Sequence, residues 1–331
     1  MKNDHFYAVR RQDYLDEESY ANTLTQIAAD KANFQAALTI PDATPHGLVT
    51  ARMMIASYDW FVFQLKFTAG EPVEMLANLL DGVIVSFEDY ARELKSAPNP
   101  YERAAFNLAD SIDDYVDYLN LLSALVLLRR SDLLPRAAGL LEGTIVGGQD
   151  VIVEDILKFF ITGRPAPDES YWGKPYQILI DAIDAESRKE AARKMTQYVK
   201  KWYPAMKGQA SFWGKHEQIV PEFTPYSGYW AMCAAAFTYL YDIDDTGYCD
   251  ELVYPKDLVS YARSLPGNPG ATPFQLLQLR VVAGNPCTRT GFWLTPARAN
   301  SRAAFTKGDI MPDVENSDYG ITIWQWAERQ E

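Results

Sequence analysis

Two clusters of carboxylates hold the residues that are best suited to chemistry in this sequence. The first follows an apolar helical segment and runs from Asp242 to Glu251, with Gly247 between its charges. Like charges this close repel one another, so we expect the chain to keep them for a cation or a basic partner. The candidate partner-binding residues of this cluster are Asp242, Asp244, Asp245, Tyr248, Asp250 and Glu251.

The second cluster is Asp113-Asp114-Tyr115-Val116-Asp117, which reads DDxxD within a long helical pattern. Class I terpene synthases use such a motif, with a second one, to hold Mg²⁺ against a diphosphate, because oxygen ligands suit that ion. Asp242, Thr246 and Asp250 have the spacing of the second motif. Gly247, however, indicates a loop there, and no Arg-Tyr pair follows late in the chain.

The helical pattern gives the second cluster another interpretation. Its acidic residues fall opposite the apolar stripe of the helix, where either a solvated face or a partner-binding face would place them. The candidate partner-binding residues here are Asp110, Asp113, Asp114 and Asp117.

The charge of the chain narrows the class of partner. The 331 residues carry a formal net charge of −13. Binding a phosphate backbone requires Lys and Arg, so a direct nucleic-acid ligand is not expected, and a basic protein is favoured. The basic residues concentrate between Glu186 and Lys215, where eight of them stand against two acidic ones. We therefore expect the acidic excess on other faces of the molecule.

The remaining chemistry-bearing residues predict neither a cofactor nor a metal site. The spacing of Cys233, Cys249 and Cys287 matches no metal or redox motif, and three histidines cannot form a His-rich site. The charged start of the chain leads into no signal-peptide segment, and no apolar run is long enough to cross a membrane. We expect a cytoplasmic protein with no catalytic residues and no membrane contact.

Apolar residues recur at three and four positions over most of the chain, which predicts a mainly α protein with a bundle-like, multi-helix body. The predicted helices are Asp16 to Leu38, Gly47 to Thr68, Glu71 to Ser96, Tyr101 to Arg130, Leu133 to Leu141, Val151 to Phe160, Tyr176 to Ile183, Ser187 to Tyr203, Gly228 to Tyr241, Lys256 to Ser264 and Thr272 to Val282.

After Gly284 the sequence becomes rich in Pro, Gly and Trp, which predicts a small β-containing C-terminal module. The strand candidates are Phe292 to Leu294, Ala303 to Phe305 and Gly320 to Trp326. The Pro-containing stretch from Gly163 to Gly173 indicates a connection between two helical halves. We therefore predict three parts, residues 1–165, 166–283 and 284–331.

Several motifs resemble the C-terminal domain of immunity proteins that protect bacteria from PoNe-type DNase toxins of polymorphic-toxin and type VI secretion systems. The matching residues are Tyr226, Gly228-Tyr229-Trp230, Ala234 to Ala236, Asp244-Asp245, Tyr254 to Val259, Tyr261 to Arg263, Trp202-Tyr203, Trp213 and His216. Family members usually carry Glu where this chain has Cys233. The pattern of residues 284–331, ending in Trp324-Gln325-Trp326, also resembles a tail found in other toxin-immunity proteins.

The resemblance implies a protein without enzymatic activity that binds a cognate secreted toxin, expected to be basic, in a one-to-one complex. The toxin would be a DNase or another enzyme acting in the cytosol, and the acidic clusters would occlude its active site, with tyrosines as anchors. Two alternatives stay open: a Mg²⁺-dependent prenyl-diphosphate enzyme that uses Asp113 to Asp117, and an acidic scaffold or regulatory protein.

Overall fold

A computed structural model describes residues 4–96, 103–267, 280–287, 290–298, 300–314 and 322–327. Within these residues the chain forms eleven α-helices and then four short strands, which confirms the predicted fold class. The helices are α1 Asp4–Val9, α2 Glu17–Ala37, α3 Pro45–Ala69, α4 Val73–Lys95, α5 Ile112–Leu127, α6 Leu134–Gly139, α7 Val151–Leu157, α8 Gly173–Ile183, α9 Arg188–Ala205, α10 Met232–Leu240 and α11 Lys256–Ser264. Single 3₁₀ turns lie at Ser131–Leu133 and Lys215–Gln218.

Local capping chemistry fixes where several helices begin. The Asp16 carboxylate accepts hydrogen bonds from the backbone N–H groups of Glu18 and Ser19 and so starts α2. Ser187 accepts from Glu190 in the same way at α9. Thr44 caps α3, and Pro45 stands in the first turn, where its missing N–H leaves no donor unsatisfied.

The predicted helix from Tyr101 to Arg130 is shorter in the structure. Residues 101 and 102 lie outside the described part, and residues 103–111 form turns rather than a helix. The Ser111 hydroxyl accepts from the Asp114 N–H, and the Asp114 carboxylate accepts from the Asn107 N–H at 2.8 Å. The first contact satisfies a backbone donor in the first turn of α5. The second holds the preceding segment against the start of the helix.

One apolar core joins the helical body from Phe6 to Ala262. Helix α5 lies at its centre, because thirteen of its sixteen residues are buried, and it packs against α10 and α11. Helices α2, α3 and α4 pack in sequence order, and α8 packs on α9. Side chains from both predicted helical halves therefore belong to the same core.

The C-terminal sheet contains β1 Arg280–Val282, β2 Gly291–Leu294, β3 Ala303–Phe305 and β4 Ile323–Trp326. Its order is β1-β4-β2-β3, and every pairing is antiparallel. Trp293, Trp324 and Trp326 form the centre of a small second core.

The end of the predicted helix Thr272 to Val282 is a strand in the structure, while residues 272–279 lie outside the described part. Arg280, Val281 and Val282 pair with Gln325, Trp324 and Ile323, so backbone hydrogen bonding to β4 decides the conformation there. The sheet therefore begins before Gly284. Among the described helices, none is long and apolar enough to span a lipid bilayer.

Candidate functional site

The acidic loop, residues 242–251, begins where α10 ends. Asp242 adopts a left-handed backbone conformation, with φ of 50°, and this conformation terminates the helix. Its N–H donates to the Tyr239 carbonyl, and the Ile243 N–H donates to the Thr238 carbonyl. The loop is thus held against the end of a buried helix.

Most charges of the acidic loop are paired with basic side chains of the same chain. The four ion pairs are Asp242 with Arg188 at 2.8 Å, Asp245 with Arg263 at 3.0 Å, Asp250 with Lys256 at 2.9 Å and Glu251 with Lys200 at 3.6 Å. The partners lie up to 54 residues away in sequence. The like-charge repulsion expected within the loop is therefore largely compensated inside the molecule.

Two of these basic partners, Arg188 and Lys200, belong to α9. The expectation that the acidic excess lies away from the basic stretch from Glu186 to Lys215 is wrong for this loop, because the two face each other. The excess lies instead in the first half of the chain, where residues 1–165 hold 24 acidic and 14 basic residues.

Asp244 differs from its neighbours in the acidic loop. It is exposed, and its carboxylate accepts a hydrogen bond from the Thr246 N–H at 3.1 Å. This bond holds the pKa of Asp244 below its ordinary value, so the group is charged at neutral pH. No basic group lies within 4 Å of it in the described part of the chain. Asp244 faces a surface groove of about 510 Å³, which Arg188, Lys189, Asp242, Asp245 and Arg263 also line.

Asp245 has a structural role in the same loop. Its carboxylate accepts two hydrogen bonds from Arg263 and one from the Tyr254 hydroxyl, at 3.0 Å. Arg263 also donates to the Ile243 carbonyl at 2.9 Å. These contacts tie the loop to α11.

Tyr248, predicted as an anchor for a partner, is only 1% exposed. Its hydroxyl forms a 2.7 Å hydrogen bond with Thr238 in α10, and its ring packs on Tyr254. It therefore offers no surface to a partner. Asp257, in the first turn of α11, pairs with Arg11 at 2.9 Å, and Pro255 precedes the helix.

The acidic residues near α5 have separate surroundings. Asp110 is exposed, and Asp113 accepts from the backbone N–H of Ser211 at 2.9 Å. Asp114 accepts from Asn107, as described above. Asp117 accepts from Trp60 Nε1 at 2.9 Å and from Gln64 Nε2 at 3.0 Å, both on α3.

Asp117 is therefore partly buried, with its carboxyl group directed at α3, and does not belong to a fully solvated stripe. Burial raises its pKa to about 6, although the hydrogen bonds from Trp60 and Gln64 act in the opposite direction. Burial also raises the pKa of Asp114.

The DDxxD residues do not converge as ligands of one ion, since Asp113 and Asp117 bind donors on different elements. In the described ranges, no group of three His, Cys, Asp or Glu side chains is arranged to hold a metal. Asp242 and Asp250 of the second motif are engaged by Arg188 and Lys256. This arrangement gives no support to a diphosphate site.

Sequence reasoning missed a pocket of about 350 Å³ beside Asp117. Half of its fourteen lining residues are aromatic: Tyr58, Trp60 and Phe61 of α3, Phe87 and Tyr90 of α4, Phe106 in the turns before α5, and Phe223. Asp114 and Asp117 of α5 line it as well. The available signal was the aromatic character of α3 on more than one side, which indicates that the helix contacts more than one neighbour.

The Tyr-Ser-Gly-Tyr-Trp motif at 226–230 lies in the core and not on the surface. Gln12 binds it with its whole amide: the nitrogen donates to the carbonyls of Tyr229 and Leu252, and the oxygen accepts from the Tyr229 N–H and the Tyr226 hydroxyl. Gly228 has φ of 109°, and a Cβ there would lie 2.1 Å from Trp230 Nε1. The motif therefore specifies packing.

Cys233 is also a core residue. Its sulfur lies 3.2 Å from the Tyr198 hydroxyl, and burial raises its pKa to about 11. The thiol is therefore neutral and inert at ordinary pH.

Comparison with known proteins agrees with the resemblance found in the sequence. Residues 148–258 match the family described as PoNe immunity proteins (PoNi), C-terminal. The crystal structure of protein PA2201 from Pseudomonas aeruginosa aligns with 77% of this chain and 91% of its own, with a TM-score of 0.57 and 21% identity. That alignment shows a similar fold. No curated protein matches the chain significantly.

Proposed function

We propose that this protein is an immunity protein that binds a cognate secreted antibacterial toxin and neutralises it, without catalysing a reaction. The observation that carries the proposal is the match of residues 148–258 to the C-terminal domain of PoNe immunity proteins. The family name implies a toxin partner. We further propose a DNase or another enzyme that acts in the cytoplasm, where this protein would meet it.

The charge of the molecule supports a basic partner bound in a one-to-one complex. A net charge of −13 accelerates encounter with a positively charged surface and disfavours contact with nucleic acid. A toxin that binds DNA must itself present basic residues to the phosphates. Acidic side chains of the immunity protein can then take the place of phosphates and cover the toxin's active site.

Within the acidic loop, Asp244 is the side chain best placed for that contact. It is exposed, charged and without an ion pair among the described residues, whereas its neighbours bind basic partners within the chain. Asp250 and Glu251 can join it, since the Asp250 side chain is 84% exposed and its pair with Lys256 lies at the surface. Asp110 and Asp113 provide a second acidic patch near the start of α5.

The ion pairs of the loop have a role in this proposal. Arg188, Arg263 and Lys200 hold the carboxylates in place before the partner arrives, so less conformational entropy is lost on binding. The exposed pairs of Asp242, Asp250 and Glu251 contribute little to stability and can exchange partners at low free-energy cost.

Co-expression with a candidate cognate toxin tests the proposal. Cells that carry the toxin and the wild-type protein should survive, and the purified proteins should form a one-to-one complex by light scattering. Reversing the charge in Asp244→Lys with Asp250→Lys should weaken the complex at least about tenfold, since like charges then face each other.

Asp42→Lys with Glu222→Lys is a matched control, because it makes the same charge change at exposed positions outside both acidic clusters. The control should protect cells as the wild type does. If the loop variant is folded and protects equally well, the acidic loop is not the binding surface. If the wild type neither binds nor protects against the toxin, the proposed function is wrong.

A further inference from the structure

The pocket beside Asp117 combines an aromatic lining with two carboxylates. Its volume of about 350 Å³ suits a small ligand or one long side chain, and seven aromatic residues make up half of its lining. Two carboxylates, from Asp114 and Asp117, stand in the same wall. A purely apolar ligand would leave these carboxylates desolvated, which is unfavourable.

The Asp117 carboxylate is only half satisfied by the protein. Trp60 and Gln64 both donate to Oδ1, and Oδ2 accepts no hydrogen bond from the described residues. Asp114 uses one oxygen for the Asn107 N–H. Neither carboxylate has a Lys or Arg within 4 Å in the described part of the chain, although nearby acids on other elements are paired, such as Asp89 with Arg52.

The surroundings favour an organic cation over a metal ion. Mg²⁺ and Ca²⁺ require six or more oxygen ligands, and aromatic walls do not supply them. An ammonium or guanidinium group is stabilised both by charge-assisted hydrogen bonds to a desolvated carboxylate and by cation–π contacts with the faces of Trp and Tyr rings. Tyr58 and Tyr90 line the pocket. The charged groups near the site are Asp113 and Asp114 at Asp117, Arg103 at Tyr90 and Asp30 at Tyr58.

We propose that this pocket binds an organic cation with an apolar stem, its charged head at Asp117 and its stem against Trp60 and Tyr58. Such a cation is either a Lys or Arg side chain of a partner protein or a free alkylamine or alkylguanidine. The first source rests on the proposed function, in which a basic toxin is bound; the second does not.

Isothermal titration of the isolated full-length protein with n-butylguanidinium chloride tests the chemistry of the pocket. Neutral n-butylurea has nearly the same shape, so it serves as the reference ligand. The wild type should bind the guanidinium at least about tenfold more tightly than the urea. The neutral ligand can form neither the ion pair with the Asp117 carboxylate nor the cation–π contact with the aromatic rings. Equal affinities, or no binding of the guanidinium, would overturn the proposal.

Two variants locate the binding. Asp117→Asn keeps an acceptor for Trp60 and Gln64 but removes the charge, and it should abolish the preference for the cation. Ser57→Phe, at an exposed position of the pocket wall, should block both ligands without touching the carboxylates. Asp89→Asn removes one carboxylate of α4 outside the pocket and should bind like the wild type. Unchanged binding in both pocket variants would refute the assignment.

The source of the cation follows from a parallel measurement with the toxin. If Asp117→Asn also weakens the toxin complex about tenfold, the cation is a side chain of the toxin. If toxin binding is unchanged while butylguanidinium binding is lost, the pocket serves a free amine and its role in the complex is refuted. If no toxin is bound by the wild type, only the proposed function fails, because the titration with butylguanidinium does not depend on it.

Discussion

Arg280 in the first strand of the C-terminal sheet donates a 2.8 Å hydrogen bond to the carboxylate of Asp155 in α7. Asp155 is buried and also accepts from Lys158 at 2.7 Å. Burial alone would raise the pKa of Asp155, but the two cations outweigh it and hold the pKa below its ordinary value. The contact joins the sheet to the helical body, and Arg280 strengthens it by donating to the Pro167 carbonyl.

We expect Arg280→Gln to lower the free energy of unfolding by about 1–3 kcal/mol, because a buried carboxylate loses one of its two cations. Urea denaturation at neutral pH measures the effect. Since the pKa of Asp155 is depressed in the folded state, its contribution is present above pH 3.8 and is lost as the pH falls below that value. The difference in free energy of unfolding between wild type and variant should therefore become smaller at acidic pH.

Arg298→Gln is the control for this comparison. Arg298 is an exposed residue of the same module, so its replacement should change stability by less than about 0.5 kcal/mol. Equal losses in the two variants would show that Arg280 has no special part in attaching the sheet.

Gly228→Ala should destabilise the protein by about 2–4 kcal/mol. The new Cβ would meet Trp230 and Thr68 at 2.1 and 2.3 Å, and the backbone has φ of 109°, which L residues rarely adopt. Thermal unfolding followed by circular dichroism reports the loss.

Gly82→Ala provides the matched control in the middle of α4. A Cβ at Gly82 meets nothing within 4 Å, so the same substitution should stabilise the protein by about 0.5–1 kcal/mol through helix propensity. A similar change in stability at both glycines would contradict the packing role of the Tyr-Ser-Gly-Tyr-Trp motif.

Asp244 and Asp245 are adjacent, but only the replacement of Asp245 should change stability measurably. Asp245→Asn weakens the contacts with Arg263 and Tyr254 and should lower the free energy of unfolding by about 1–2 kcal/mol. Asp244→Asn should leave it within about 0.5 kcal/mol, since the side chain is exposed. Differential scanning calorimetry of both variants tests this, and the reverse order of stability would disprove the division of roles.

Asp117→Asn should change the pH dependence of stability. Because the folded-state pKa is raised to about 6, the stabilisation linked to Asp117 is complete below pH 3.8 and is lost as the pH rises through about 6. Asparagine cannot ionise, so the variant does not lose this stabilisation. Relative to the wild type, its free energy of unfolding should rise by about 1–2 kcal/mol between about pH 4 and pH 7.5.

Urea denaturation of both proteins at the two pH values measures this difference. Burial also raises the pKa of Asp184 to about 6, but Asp184 is present in both proteins and its effect cancels in the comparison. A stability difference that stays constant with pH would show that Asp117 titrates normally.

The sequence predicts those parts of the fold whose causes are local. The predicted span of α11 is the one observed. The N-terminal starts of α2 and α9 follow from the capping residues Asp16 and Ser187. The start of α5 is not predictable in this way, because it depends on an Asp114 contact with a backbone that folds back from Asn107. The Arg280 strand depends on pairing with β4, more than forty residues later.

The candidate site shows the same division. Residue types reveal both acidic clusters, but not that Arg188 neutralises Asp242 across 54 residues. A helical pattern places Asp117 opposite the apolar stripe of α5, yet Trp60 and Gln64 of α3 close over that side. Which side of a central helix stays open is decided by its neighbours in space.

The position of Gln12 limits how nature or an engineer can recombine this protein with its relatives. A chimera cut at residue 148 would keep the domain that the family match covers but would lose the amide that binds Tyr226, Tyr229 and Leu252, together with the α5 surface beneath α10. Grafting a new specificity onto this scaffold therefore requires transplanting surface side chains, or exchanging the entire helical body at once.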